Sequence, residues 1–292
     1  MRVGALEAGG TKMVCAIVEA EGQQWNILEK VSIPTTTPEE TLPRLADFFR
    51  NKGIQALGIA CFGPVDLHRD SPTYGYITTT PKPGWTWCDV AGFFGRELGV
   101  PIGFDTDVNG SLLGEATFGC ARGLENSIYI TIGTGIGAGI MSNGRLLHGM
   151  LHPEAGHLTL KRGVGDEDFA CVCPYHDSCF EGLAAGPSIE KRYGKPGAEL
   201  TERTEVWELE AYYIAQALLA YIMILSPEKI ILGGGVMHQE SLFPLIRKEV
   251  RRQLGGYLNT KELEHMDEYI VPASLGDDQG ILGACCLAME VC

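Results

Sequence analysis

Apolar residues fall in short blocks along this chain, and the way each block ends predicts its neighbours. Residues 3–7 and 13–18 are almost wholly apolar, and Gly9-Gly10-Thr11-Lys12 interrupts them. Blocks that short, rich in β-branched residues, predict two buried strands around a tight turn. "TPEETLPRLADFFR" (37–50) repeats its apolar positions every three or four residues and predicts a helix, with Thr37 as cap, Pro38 in the first turn and Glu40 closing a capping box. "QALGIACFGPVD" (55–66) predicts a buried strand that stops at Gly-Pro. Asp89 caps a helix running to Leu98; "VPIGFDTDV" (100–108) is a strand, and "NGSLLGEATFG" (109–119) starts a helix directly after it.

The opening design then returns. "SIYITIGTGIGAGIMSNGRLLHG" (127–149) reads strand, glycine turn, strand, with Asn143-Gly144 as a further hairpin turn. A polar, cysteine-rich loop covers residues 152–182, long helices follow, including 206–225, and "KIILGGGVM" gives another strand and glycine turn. "YIVPA" reads as a strand and "DDQGILGACCLAME" as an amphipathic closing helix. Strand and helix alternate throughout, which predicts an α/β fold. The expected boundary lies within residues 115–125, giving an N-terminal α/β domain over 1–117 and a C-terminal one over 118–276, with helix 277–292 packing back on the first.

Composition narrows the class. A chain of 292 residues is too long for one small core and comfortable for two domains. A net charge of −14 argues against a nucleic-acid surface, which needs clustered Lys and Arg. The most apolar segment, 211–225, contains Gln216 and follows Glu208 and Glu210, so it reads as a buried helix rather than a membrane span. Arg2 is followed by no apolar stretch long enough for a signal peptide, so a cytoplasmic protein is expected, with its ten cysteines as reduced thiols or metal ligands. Cys15, Cys61, Cys285 and Cys286 sit among apolar neighbours and read as core.

Three glycine turns, "EAGGT", "TIGTGIG" and "LGGGV", each follow an apolar strand. Glycine lets backbone N–H groups approach phosphate oxygens. One such turn alone is an ordinary hairpin or bulge; three in one α/β chain point to a nucleotide. Gly133, Gly135 and Ala138 match the loose dinucleotide spacing, but that motif needs a helix next, and "GAGIMSNG" starts none. A strand–glycine turn–strand unit occurring twice resembles the duplicated ribonuclease H-like ATPase fold of sugar kinases, actin and Hsp70. That resemblance implies two turns facing across an interdomain cleft, Gly9, Gly10, Thr11 and Lys12 on one side and Thr131, Gly133, Thr134 and Gly135 on the other. A kinase of this type needs a base for the attacking hydroxyl, and Asp107, at the carboxyl end of an apolar strand, is the candidate. Asp105 competes, and Asp105 or Asn109 is expected to cap the helix.

"HPEAGHLTL" and "CVCPYHDSCFEG" carry the most specific chemistry. Cys173, His176 and Cys179 recur every three residues, Cys171 is a spare thiolate and His157 lies upstream; thiolate and imidazole together suit zinc, read here as structural rather than catalytic. Glu154 and Glu181 flank this loop, and carboxylates accept bonds from sugar hydroxyls. His157 has two ring nitrogens, one for a metal and one for a sugar.

With "LEAGGTK", "GPVD", "DTDVNG", "ITIGTGIG", "HPEAGH", "CPYHDSCFEG", "AAGPSIEKRYG" and "LGGGVM" in order over the whole chain, the sequence resembles the ROK family of bacterial sugar kinases and repressors, in its zinc-containing fructokinase branch. The resemblance implies transfer of the ATP γ-phosphate, with Mg²⁺, to a hexose 6-hydroxyl, and a homodimer. It implies Asp107 as base; Gly63, Pro64, Thr106, Glu154, His157 and Glu181 as sugar contacts; His157, Cys173, His176 and Cys179 as zinc ligands; Gly186 and Pro187 beside adenine; and Gly233, Gly234, Gly235 and Val236 under the nucleoside. Glu7 stands where the broad family has Asp, and Thr106 where it has Asn; both departures resemble the fructokinase branch. The expected partners are therefore a hexose and ATP, with no nucleic acid and no membrane. A non-catalytic sugar sensor and a zinc- and NAD-dependent dehydrogenase are the rival readings, with kinases for glucose or mannose as variants of the first.

Overall fold

A computed structural model of the chain describes residues 1–21 and 24–292. The first two apolar blocks form β1 (Arg2–Ala8) and β2 (Lys12–Glu21), paired antiparallel up to Ala8↔Met13 across the glycine turn. β3 (Gln24–Pro34) extends this pairing on the far side of β2; most of its described side chains are exposed, so no apolar block marks it in the sequence. α1 (Pro38–Phe49) follows. Thr37 occupies its cap position but makes no side-chain cap bond, because the Thr36 hydroxyl donates to Glu40 Oε2 at 2.9 Å instead; the expected capping box does not form.

β4 (Leu57–Cys61) runs parallel to β1. A two-residue ribbon, β5 (Tyr76–Ile77) with β6 (Cys88–Asp89), precedes α2 (Val90–Leu98), where Asp89 Oδ1 accepts the Gly92 N–H at 2.8 Å as expected of the cap. β7 (Ile102–Thr106) lies parallel to β4 and passes directly into α3 (Asp107–Thr117). The sheet order is β3-β2-β1-β4-β7.

The second apolar series repeats this plan. β8 (Ser127–Ile132) and β9 (Ile136–Ser142) are antiparallel, and Asn143-Gly144, both at positive φ, turn β9 into β10 (Arg145–Leu146). α4 (Phe180–Ala184), α5 (Gly186–Tyr193) and α6 (Thr204–Leu225) precede β11 (Lys229–Gly233). Then α7 (Leu242–Leu254), α8 (Lys261–Glu264) and α9 (Met266–Tyr269) lead to β12 (Ile270–Pro272). The order is β10-β9-β8-β11-β12, with β8, β11 and β12 parallel. Strand for strand, the two sheets share one topology, and the expected duplication is present. A strand, not a helix, follows Gly135, which removes the dinucleotide-fold reading. α6 is long and apolar enough to cross a membrane by length and composition, yet Trp207, Tyr213, Ile214 and Leu218 lie in the core under the second sheet, so it is a core helix.

The chain divides into two compact units: Met1–Gly123 with Leu147–His152 and Ser274–Cys292, and Leu124–Leu146 with Pro153–Ala273. Where the first unit is left and re-entered, the fully buried Glu115 carboxylate accepts from Ser274 N (2.7 Å), Ser274 Oγ (2.5 Å) and Cys120 N (3.0 Å). The final helix, α10 (Gln279–Met289), packs against α3, β1 and β4. It is buried along most of its length rather than amphipathic, because Gly283 lets its backbone meet that of α3: a Cβ there would collide with the Gly110 carbonyl oxygen. Gly283→Ala is therefore expected to cost about 1–3 kcal/mol, the range for overpacking a tight core. Urea unfolding reads this as a lower midpoint with an unchanged slope; an unchanged midpoint refutes the backbone contact.

Candidate functional site

In the first unit, β1, β4 and β7 end in register: Ala8 pairs with Cys61, and Cys61 with Thr106. Parallel alignment therefore brings the Gly9–Lys12 turn, Gly63-Pro64 and Thr106-Asp107 to one edge of the sheet, where α/β folds place their ligands. Gly9 N–H donates to Lys12 O at 3.1 Å and closes the turn, and Thr35 Oγ donates to Gly9 O at 2.7 Å, tying the turn to the end of β3. Thr11 and Lys12 are exposed.

Asp107 is the first residue of α3, and its Oδ1 accepts the Val108 N–H at 2.9 Å. Burial nevertheless raises its pKa to about 6, winning over that bond. Glu7, under the same edge, is raised to about 7, first by burial and then by the Asp107 charge; Lys12 and Lys30 oppose the rise. Thr106 caps α3, its hydroxyl accepting the Asn109 N–H at 3.1 Å. The expected cap at Asp105 or Asn109 is thus corrected: Asp105 Oδ1 is engaged by Thr106 N–H (2.7 Å) and Asn109 Nδ2 (2.6 Å), and the Asn109 amide serves Asp105.

In the second unit the turn between β8 and β9 closes with Gly133 N–H on Gly135 O at 2.9 Å. Gly186 N–H, at the start of α5, donates to Gly133 O at 2.8 Å, so Gly186-Pro187 sits on the turn. Gly233 pairs with Thr131, and Gly234 (φ 89°) turns the chain so that a Cβ at Gly133 would lie 3.7 Å from Gly235 N. Thr131, Gly133–Gly135, Gly186-Pro187 and Gly233–Val236 are therefore contiguous. Glu181, expected as a sugar contact, accepts the Ile136 N–H at 2.9 Å and braces this turn.

The metal-loop residues also converge. One ligand atom from each of His157, Cys173, His176 and Cys179 lies within 4.8 Å of the others. Cys173 Sγ is 3.5 Å from His176 Nδ1 and 3.9 Å from His157 Nδ1. Roughly 3.4–3.8 Å is the edge of a tetrahedron with zinc–nitrogen and zinc–sulfur bond lengths, so the donor set fits that ion. Cys173, not Cys171, belongs to the cluster. Burial pushes the Cys179 thiol up to about 12. Asp166 holds the loop to α5 and α6: it accepts Arg192 Nε (2.8 Å), Arg192 Nη2 (3.1 Å) and the Tyr213 hydroxyl (2.5 Å). Glu154 is exposed at the start of the turn that carries His157.

The sequence profile of the ROK family matches residues 3–291. The chain belongs to the ROK family. Among its relatives, the fructokinase of Pediococcus pentosaceus is 47% identical over 99% of this chain and 98% of its own length. The fructokinase of Streptococcus mutans is 41% identical over 99% and 97%. Among solved structures, the ROK hexokinase of Thermus thermophilus is 28% identical, with a TM-score of 0.80 over 99% of this chain and 98% of its own. The ROK chain's duplicated fold is thus that of known sugar kinases.

Sequence reasoning missed the brace at Glu181, the Asp166–Arg192–Tyr213 cluster and two histidines, His148 and His152, that bond to Asp105 and to Val65 N–H. The pair of histidines four apart in "HGMLH" was the available signal. Glu181→Ala strips a charged acceptor from the Ile136 amide and is expected to cost about 1.5–3 kcal/mol, whereas Glu181→Gln, which keeps an acceptor oxygen, costs less than half as much. Denaturant melts of the three proteins check this; equal midpoints for Ala and Gln would remove the brace.

Proposed function

We propose that this protein is an ATP-dependent fructokinase that transfers the γ-phosphoryl group of ATP to the 6-hydroxyl of D-fructose. The observation that carries the reading is Asp107, a half-buried carboxylate whose pKa burial raises to about 6, at the shared edge of β1, β4 and β7. A base working near neutral pH needs a pKa in that region, and an ordinary exposed aspartate lies near 4. Asp107 takes the proton of the 6-hydroxyl as its oxygen attacks the γ-phosphorus; the bond to the β-phosphate bridging oxygen breaks, giving ADP and fructose 6-phosphate.

The Gly9–Lys12 turn and the Thr131–Gly135 turn each offer backbone amides to phosphate oxygens, and Lys12 adds a cation. Gly186-Pro187 and Gly233–Val236 border adenosine, on the support of their contiguity with the second turn. Gly63, Pro64 and Thr106 contribute to hexose binding, as do Glu154, His157 and Glu181, whose carboxylates and ring nitrogen suit hydroxyl groups. Glu7, crowded by the charge of Asp107, fits a magnesium ion, which supplies neutralisation of the phosphate oxygens when bound. His157, Cys173, His176 and Cys179 hold one structural zinc. Fructose is preferred to glucose on the support of Glu7, Thr106 and the fructokinase relatives. The protein works in the cytoplasm, as a homodimer.

The plot of kcat/KM against pH is expected to fall toward acid with an apparent pKa near 6, because only ionised Asp107 accepts the proton. Asp107→Asn should lower kcat by roughly 10²–10⁴-fold while fructose binding persists. Its stability runs the other way. A carboxyl whose folded pKa is raised destabilises the fold as pH climbs from the ordinary value through about 6, so the Asn variant should melt no lower than the parent at pH 8. An Asn variant with full turnover refutes the base; a parent inert on every hexose, yet binding one, favours the sensor reading.

Metal analysis should find about one zinc per chain. Cys173→Ser should lose that zinc and melt lower, and Cys171→Ser should keep it. Zinc retained in Cys173→Ser, or lost in Cys171→Ser, contradicts the assigned set.

A further inference from the structure

Leu147–His152 packs with the first unit although the residues on both sides of it belong to the second. Three histidine contacts fasten this strap. His148 Nε2 lies 2.9 Å from Asp105 Oδ2, His152 Nε2 accepts the Val65 N–H at 3.0 Å, and His68 Nε2 lies 2.9 Å from the Met150 carbonyl oxygen. The strap therefore grips both the Asp105–Asp107 corner and the Gly63–Val65 corner of the β1-β4-β7 edge.

Asp105 is 5% exposed, so its carboxylate depends on protein donors. Oδ1 takes the Thr106 N–H and Asn109 Nδ2; Oδ2 takes His148. Because the partner is a carboxylate, Nε2 of His148 carries the proton, and the 3.4 Å approach of Asn109 Nδ2 to that nitrogen is two donors sharing one acid. The neutral imidazole with Nε2–H and the imidazolium both make this bond; Asp105 and, more weakly, Glu290 favour the imidazolium. The Thr106 amide held by Oδ1 is the last before Asp107. A carboxylate that loses its Oδ2 donor turns to find another, and the Thr106 peptide turns with it.

We propose that His148 is a positioning residue for phosphoryl transfer, fixing through Asp105 the direction in which the Asp107 carboxylate leaves the β7–α3 junction. The proposal rests on the kinase reading above. The contrary view is a half-exposed ion pair of no consequence, which is the usual worth of a surface pair. The burial of Asp105 decides against it: the imidazole is the fixed donor that sets the direction of Oδ2, and a mobile water entering in its place would not hold the acid in that orientation.

The test is steady-state kinetics of His148→Ala and His148→Gln, with thermal melts of both. Ala is expected to lower kcat about 10–100-fold, the effect of misplacing a reacting group by a fraction of an ångström to an ångström, with the KM for ATP within about twofold. Gln, whose amide nitrogen occupies nearly the place of Nε2, is expected to recover most of the loss, and the Gln–Ala difference stands even if the Ala variant melts lower. An Ala variant with kcat within twofold of the parent, or a Gln variant as slow as Ala, overturns the proposal. A parent without turnover on any hexose overturns the kinase reading instead, and the positioning role falls with it. An NMR titration of the His148 ring tells the two failures apart: a midpoint above the ordinary value that drops in Asp105→Asn shows the pair intact, and an unmoved midpoint shows it absent.

Discussion

One unfavourable interaction shapes the first unit: a carboxylate partly withdrawn from water at the edge of a parallel sheet. Asp107 sits where β7 becomes α3, with Glu7 below it and α10 packed behind. Backbone N–H groups, that of Val108 first, do not offset the lost hydration, so the pKa of the acid is pushed up to about 6. A group in that state destabilises the fold at neutral pH and is poised to accept a proton. The surrounding packing supplies the compensation: the Gly110–Gly283 backbone approach of α3 and α10, and the buried Glu115 that pins the returning chain. Strain concentrated at one acid and stability elsewhere is the expected signature of a site that does chemistry.

The second unit solves a different problem with the same topology. Its β8–β9 turn is held by backbone bonds to Gly135 and Gly186 and by the Glu181 carboxylate, so the amides are fixed before any ligand arrives. Preorganised donors are what a transferring phosphoryl group needs. The His/Cys loop places Leu158, Leu160 and Phe169 on the core and is also held by polar contacts, through Asp166 with Arg192 and Tyr213, while His157, Cys173, His176 and Cys179 gather beside them. Cys179 of the cluster and the Glu181 brace both belong to α4, since Cys179 caps that helix and Glu181 lies in its first turn. Through α4 the His/Cys cluster and the β8–β9 turn share one short helix.

Much of the fold was legible because it depends on local rules. The two glycine hairpins, the Asn143-Gly144 turn and the Asp89 cap follow from what single residues permit. The family pattern was legible too, down to the four His and Cys residues that cluster in the loop. What escaped has a common cause in tertiary context. β3 is an edge strand with little to bury, so no periodicity marks it. α10 looks amphipathic until Gly283 brings its backbone onto α3. Thr106, rather than its acidic neighbours, caps α3 because Asp105 is already committed to Asn109, four residues on, and to His148, whose proximity no spacing in the sequence reveals.

The central claim is a transfer to one hydroxyl, and phosphorus NMR of the reaction mixture reads it directly. With D-fructose, ATP and magnesium, the account predicts one new phosphomonoester resonance, coupled to the two protons on carbon 6, growing in step with ADP. ADP without any sugar phosphate, or a phosphoryl group on another carbon, would contradict it.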